Sequence, residues 1–364
     1  MDLKQYLTII AGIFVSALLF VPIMEAVDSN DYNLLSTDTE TGLYRYKPNS
    51  SFKTSGDCYE NIVEVNNLGF HGAQVSQLKE KDTFRIVVVG SSYVSAIQVP
   101  VDDMFSTILE NRLNADSYRK YSYEVIPIAI GGQSRMLLDI FYYLKYGASL
   151  KPDLIINIES DQELIDEHDI NTSVLDERGN VIAVTPKGDE SSGVALARSI
   201  SRHSKLLVNL YNRVLVFKSN LNSYLSEPFA TSVQTTVPVE NSATEAESAL
   251  AEKELWQKKE KMLNIFAEQV YKDGAKFVYA SWTGPWTKTS IALEFPKHGA
   301  EIAEKNNFPY VDITPAFRAK EIGSGKSGTY LCDIHWNADG NEYVADALFS
   351  YLTSNKDLFM RKPI

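Results

Sequence analysis

Cysteine and histidine are scarce in this chain, with two Cys and five His in 364 residues. No Cys/His spacing of the kind that holds zinc is present. No glycine-rich phosphate loop ending in Gly-Lys-Ser/Thr occurs, and no Gly-x-Gly-x-x-Gly opens a helix. No metal and no cofactor is therefore expected. Positive charge is also short, since 35 Lys and Arg face 47 Asp and Glu for a formal net charge of −12. That deficit argues against a nucleic-acid partner, whose phosphates call for clustered cations. It argues equally against docking on anionic lipid through a basic face. His71, His168, His203 and His298 are isolated and read as surface or supporting histidines.

Long apolar runs are missing with one exception. Residues 6–24 carry no charge over nineteen positions, enough to span about 30 Å of hydrocarbon. Lys4 precedes the run, and Glu25 and Asp28 come after it, which keeps the N-terminus inside and exports the remainder of the chain. Met24-Glu25-Ala26 fits a peptidase site poorly, so residues 1–28 are expected to be an uncleaved single-pass anchor, with a cleaved signal segment as the alternative. Two cysteines in an exported chain invite a disulfide. Pairing of Cys58 with Cys332 and two buried free thiols both remain open.

The composition is otherwise that of ordinary globular material, 44% apolar and 23% charged. Residues 29–60 are rich in Asn, Ser, Asp and Tyr and read as a juxtamembrane stem with little core, the first part of an extension covering residues 29–83. From residue 84 the pattern alternates. An apolar β-branched run at 84–90 closes in glycine and reads as a strand buried on both faces. A helical pattern at about 103–115 comes next. A second strand covers 123–130, where Pro127 points to an edge or a bulge. Beyond it lie a helix at about 135–146, a third strand at 152–158, a strong helix at about 245–273 and a strand at 276–280. This alternation predicts an α/β fold with a parallel central sheet and a site at its carboxyl edge. Residues 163–256 interrupt the rhythm and are expected to be an insertion in a domain running from 84 to 360.

Two patterns carry chemistry. Asp333-Ile334-His335-Trp336 puts a carboxylate two residues before an imidazole, and such a pair can fix the tautomer of the ring and stabilise its cation during acyl transfer. Gly90-Ser91-Ser92-Tyr93 puts a hydroxyl at a strand-to-helix turn, where free N–H groups favour a developing negative charge.

Taken together, these two motifs resemble the SGNH/GDSL hydrolase superfamily, and more closely its periplasmic, alginate O-acetyltransferase-like branch, which uses Asp-x-His-Trp. The run Asn66-Asn67-Leu68-Gly69-Phe70-His71-Gly72 is similar to a stretch found upstream of the nucleophile strand in that branch. The resemblance implies a three-layer α/β/α (flavodoxin-like) sandwich. It makes Ser92 the nucleophile, His335 the base and Asp333 its orienter, and it assigns the oxyanion to the N–H groups of Ser92 and Gly132. Two positions depart from the family. Ser91 stands where an Asp is usual, and no Asn occurs near Ser160-Asp161-Gln162-Glu163. Gln162 has the donor chemistry to replace that Asn, whereas ionised Asp161 does not. Trp282, Trp286 and Trp336 lie near expected strand ends or beside the base and are candidate substrate contacts.

The expected activity is serine-dependent removal or transfer of an O-acyl group, chiefly O-acetyl, on an exported carbohydrate polymer. The expected place is a bacterial inner membrane, with the catalytic domain in the periplasm, or a secreted or periplasmic location after signal cleavage. Polysaccharide-export proteins are the expected partners. The alternative is a weakened relative that binds glycan or assembles an export system.

Overall fold

Branched side chains that alternate between two apolar faces build the centre of the molecule. The computed structural model describes residues 35–37, 43–115, 120–131, 136–161, 173–175, 181–184, 245–285 and 290–360. All of them belong to one compact unit drawn from residues 34–186 and 243–364. The chain opens with β1 (Leu35–Thr37) paired to β2 (Tyr44–Tyr46), then the hairpin β3 (Ser51–Ser55) and β4 (Glu60–Glu64). The main sheet uses β5 (Thr83–Gly90), β6 (Ser122–Ile128) and β7 (Leu154–Ser160). A small hairpin, β8 (Ser173–Leu175) and β9 (Val181–Val184), precedes the last two sheet strands, β10 (Lys276–Trp282) and β11 (Tyr310–Asp312). The helices are α1 (Ser92–Ser95), α2 (Phe105–Ala115), α3 (Met136–Tyr142), α4 (Glu245–Lys272), α5 (Ser290–Asn306), α6 (Thr314–Ser324) and α7 (Ala338–Ser354).

The sheet order is β11-β10-β7-β5-β6, and every pairing in it is parallel. Both faces are covered. Ile86, Val88, Ile156, Ile158, Val278 and Ala280 pack against residues of α2, α6 and α7. Val87, Val89, Ile155, Phe277 and Tyr279 pack on the other face with residues of α3, α4 and α5. This is a three-layer α/β/α sandwich. β6 lies at the sheet edge and Pro127 faces Val88 on one side only, which is how a strand tolerates a residue with no N–H to donate. Strand order reverses about β5, with β6 on one side and β7 on the other, and such a reversal opens a crevice at the carboxyl end of that strand.

The expected boundaries need two corrections. The stem, expected to have little core of its own, lends Leu43 and Tyr46 to the cluster that holds Val87 and Ile155, along with Val63, Val65, Leu68 and Phe70 of the extension. Nor does the insertion run to residue 256, since α4 begins at Glu245 and places Leu255 and Trp256 in that core. In the first case an apolar pattern too sparse to stand out in sequence becomes core when the sheet offers it a face. Among the described residues no helix is long and apolar enough to cross a membrane. The expected span at 6–24 lies outside the described residues, as does most of the expected insertion at 163–256.

Candidate active site

Gly90 ends β5 and decides how closely the next turn can approach the sheet. A Cβ there would lie 2.3 Å from the carbonyl oxygen of Ile158 and 2.6 Å from Val94 Cγ2. Only glycine lets the chain leave β5 against β7 and enter α1 at once. Ser91 N-caps that helix through its backbone, accepting from Val94 at 3.0 Å and Ser95 at 3.1 Å, with no side-chain cap. Ser92 is the first helical residue, so its own N–H has no intrahelical acceptor. The turn therefore carries a hydroxyl and a backbone donor together.

α1 is one turn long and ends at Ala96 in the left-handed region, with φ of 45°, a costly conformation for a residue with a Cβ. His71 braces this end. Its Nδ1–H donates to the carbonyl of Ser95 at 3.1 Å, and the ring is 1% exposed. Burial pushes its pKa down to about 4, only partly offset by the backbone acceptors, so near neutral pH the ring is uncharged. Asn66 shapes the approach to His71 by accepting from Leu68 at 2.9 Å and from Phe70 at 3.1 Å.

The expected base, His335, comes from the segment between α6 and α7. Thr329 and Trp336 form an antiparallel bridge, and Tyr330 N–H donates to the carbonyl of His335 at 3.2 Å. Asp333 Oδ1 accepts the backbone N–H of His335 at 2.9 Å and also meets His335 Nδ1. A two-residue offset is what lets one carboxylate oxygen serve both donors, in the manner of an Asx turn. On the far side of the ring, His335 Nε2 lies 2.7 Å from Ser92 Oγ. Side chains of His335 and Asp333 are 18% and 20% exposed, so the three groups line an open crevice rather than a sealed core.

The residues after the base lock this loop onto the helices. Asn337 caps α7, accepting from Gly340 N–H at 2.9 Å, while its Nδ2 donates to Ser327 O at 2.8 Å. Buried Asn341 accepts from Phe105 N–H at 3.0 Å and donates to the carbonyl of Asn337 at 3.0 Å. Tyr93, next to Ser92, donates to Ile334 O at 3.2 Å, and its ring centroid is 5.1 Å from that of His335. Cys58 and Cys332 are disulfide-bonded with their Cα atoms 5.9 Å apart, which resolves the open alternative in favour of pairing and ties this loop to the β3–β4 hairpin.

Other candidates fall differently. Trp282 and Trp336 do not face substrate, being 0% and 2% exposed. The alternation of β10 turns Trp282 to the same face as Val278 and Ala280, with its ring centroid 4.4 Å from Phe317. Trp336 packs between Tyr93 and Phe105, at 4.9 and 6.0 Å. Gly132, Gln162 and Trp286 lie outside the described residues. Asp161 is 1% exposed and accepts from Gly284 N–H at 3.2 Å, so it joins the ends of β7 and β10. Sequence reasoning passed over the roles of His71, Tyr93 and Asn341. Only His71 left a signal, by its place in the Asn66–Gly72 run.

No family model and no curated protein matches the chain. Among solved structures it is similar to TesA, at 14% identity and a TM-score of 0.42, over 74% of this chain and 98% of that one. An acetyl xylan esterase, AlAXEase, matches at 12% and 0.42, over 74% and 100%. A member of the lipolytic G-D-S-L family from Veillonella parvula matches at 10% and 0.42, over 74% and 98%. These are distant likenesses, and the chemical reading rests on the chain's own residues.

Proposed function

We propose that this protein is a serine-dependent ester hydrolase or O-acyltransferase acting on an O-acylated, chiefly O-acetylated, carbohydrate of the cell exterior. The observation that carries the reading is the continuous contact from Ser92 Oγ through His335 Nε2, at 2.7 Å, to His335 Nδ1 and Asp333 Oδ1. A structural serine has no need of an imidazole oriented from behind by a carboxylate.

Ser92 Oγ attacks the ester carbonyl as its proton passes to His335 Nε2, and Asp333 stabilises the resulting imidazolium. The N–H of Ser92 faces the oxyanion, with Gly132 as the further donor that the family resemblance implies and Gln162 as the side chain whose donor chemistry replaces the family's Asn. Collapse breaks the ester C–O bond, and the leaving alkoxide takes the proton from His335. Water or a sugar hydroxyl then attacks the acyl-serine and gives its proton to His335; collapse breaks the acyl C–Oγ bond, and Ser92 Oγ takes that proton back from His335. The acceptor alone separates hydrolase from transferase. The uncharged run at 6–24 and the disulfide support an exported domain tethered at the membrane, near the machinery that exports its polymer.

The test is labelling by a fluorophosphonate probe and release of p-nitrophenol from p-nitrophenyl acetate. Wild type is expected to do both, and Ser92→Ala neither. A wild-type protein inert to the probe under conditions where it is folded would overturn the reading.

A further inference from the structure

The disulfide joins two segments that each place a tyrosine beside the catalytic loop. Tyr59 comes directly after Cys58, and Tyr330 and Leu331 precede Cys332. The two tyrosine rings meet at 5.4 Å between centroids, tilted by 45°. Tyr330 is opposite His335 in the loop, through its N–H to the His335 carbonyl, and its hydroxyl reaches Gln98 O at 3.1 Å. It therefore bridges the base loop and the segment beyond the nucleophile helix. Tyr59 rests over Gly56, where a Cβ would come within 2.4 Å of its ring. Both rings stay half-buried, and Leu331 beside them is 89% exposed, two residues from Asp333.

Charge around these rings has one sign. Asp333 raises the pKa of both tyrosines after the larger effect of burial, and Asp103 adds to the rise at Tyr330. Asp57 and Glu60 flank Cys58 and Tyr59 and are exposed, and the nearby Lys53 is already paired with Glu60 at 2.8 Å.

Resting on the acyl-transfer reading, we propose that Tyr59, Tyr330 and Leu331 form a glycan subsite on the rim of the crevice, built by the Cys58–Cys332 disulfide and selective for an uncharged O-acylated chain. Tyrosine faces present apolar area to the C–H surface of a sugar ring, and the bond from the Tyr330 hydroxyl to Gln98 O holds its ring in place. The acidic surroundings repel a polyuronate, whose carboxylates would have to be desolvated beside Asp333 and Asp103.

The experiment measures binding of partly O-acetylated cello-oligosaccharides to full-length Ser92→Ala by calorimetry, with O-acetylated oligouronates as the charged probe. Ser92→Ala is expected to bind the neutral probe and to bind the uronate more weakly. Adding Tyr59→Ala should raise Kd by roughly tenfold or more. Tyr59→Phe, which keeps the ring, should retain the affinity, and replacing both cysteines with serine should cost about as much as losing the Tyr59 ring. Absence of neutral-probe binding, a Kd indifferent to Tyr59→Ala, or tighter uronate binding would each overturn the subsite. Wild-type labelling at Ser92 is read separately. A protein that labels but does not bind loses the subsite and keeps the chemistry; one that binds through Tyr59 but does not label loses the chemistry alone.

Discussion

The two halves of the candidate site are held by opposite means. The nucleophile turn is fixed by main chain: a parallel strand between two others, a glycine with no room for a methyl group, and bonds from Val94 and Ser95 to the Ser91 carbonyl. The base loop has a single bridge for regular structure and is fixed by side chains: Asp333 to His335, Asn337 to Ser327, Asn341 to Phe105 N–H, and the disulfide. Backbone fixation tolerates no added atom at the closest approach. Side-chain fixation is distributed, so it should weaken by degrees as single anchors go. Precision at Ser92 comes from the sheet, and precision at His335 is assembled around it by side chains.

The largest effects test the point where the halves meet. His335→Ala should lower kcat by about 10⁶ and abolish probe labelling, because the triad acts as a unit and the serine hydroxyl is a weak nucleophile without its base. Steady-state kinetics with p-nitrophenyl acetate check this, and near-wild-type turnover would sever His335 from Ser92. Asp333→Asn comes next, lowering kcat by roughly 10⁴ while the fold persists, since the amide leaves the ring in the wrong tautomer.

Gly90→Ala sharpens the contrast from the other side. A methyl group 2.3 Å from Ile158 O must push β5 from β7 or distort α1. We expect about 3 kcal/mol of lost stability in urea unfolding, at the upper end of overpacking costs. A fully stable Gly90→Ala would mean that the turn is less tightly determined than its geometry implies.

The smallest effect concerns His71. Its folded pKa, about 4, is below the ordinary value of 6.5, so the unfolded chain binds the extra proton first. Stability is then greatest above about pH 6.5 and falls as pH drops toward 4. Between pH 7.5 and 5 this group should cost about 2 kcal/mol. Urea midpoints at the two pH values should converge in His71→Asn, which keeps a donor toward Ser95 O but cannot take up the proton. An equally steep loss in that variant would assign the pH dependence to other groups.

The strands at 84–90 and 276–280 and the helix at 245–273 are legible in the sequence because their apolar patterns are long and their neighbours in sequence are also neighbours in space. Pro127 signals an edge, and β6 is an edge strand. The tryptophans mislead for a physical reason: an indole at a strand end serves equally well as core or as contact, and only the face it is turned to decides. His71 escapes notice as a brace because nothing in a run of seven residues says that its ring will sit beneath a helix beginning twenty-one positions later.

By itself the sequence determined the alternation that makes a parallel sheet, the glycine needed at the end of β5, and the Asp-x-His offset that lets one carboxylate hold both donors of a histidine. Each is a local matter, settled by period, by the absence of a Cβ, or by the reach of a short side chain. Only the tertiary structure decided that Ser92 and His335, 243 positions apart, stand 2.7 Å from each other. It also decided that Cys58 closes on Cys332 and that Trp282 and Trp336 turn inward. Those outcomes depend on strand order and on which face of the sheet each helix covers, and no local stretch of chain carries that information.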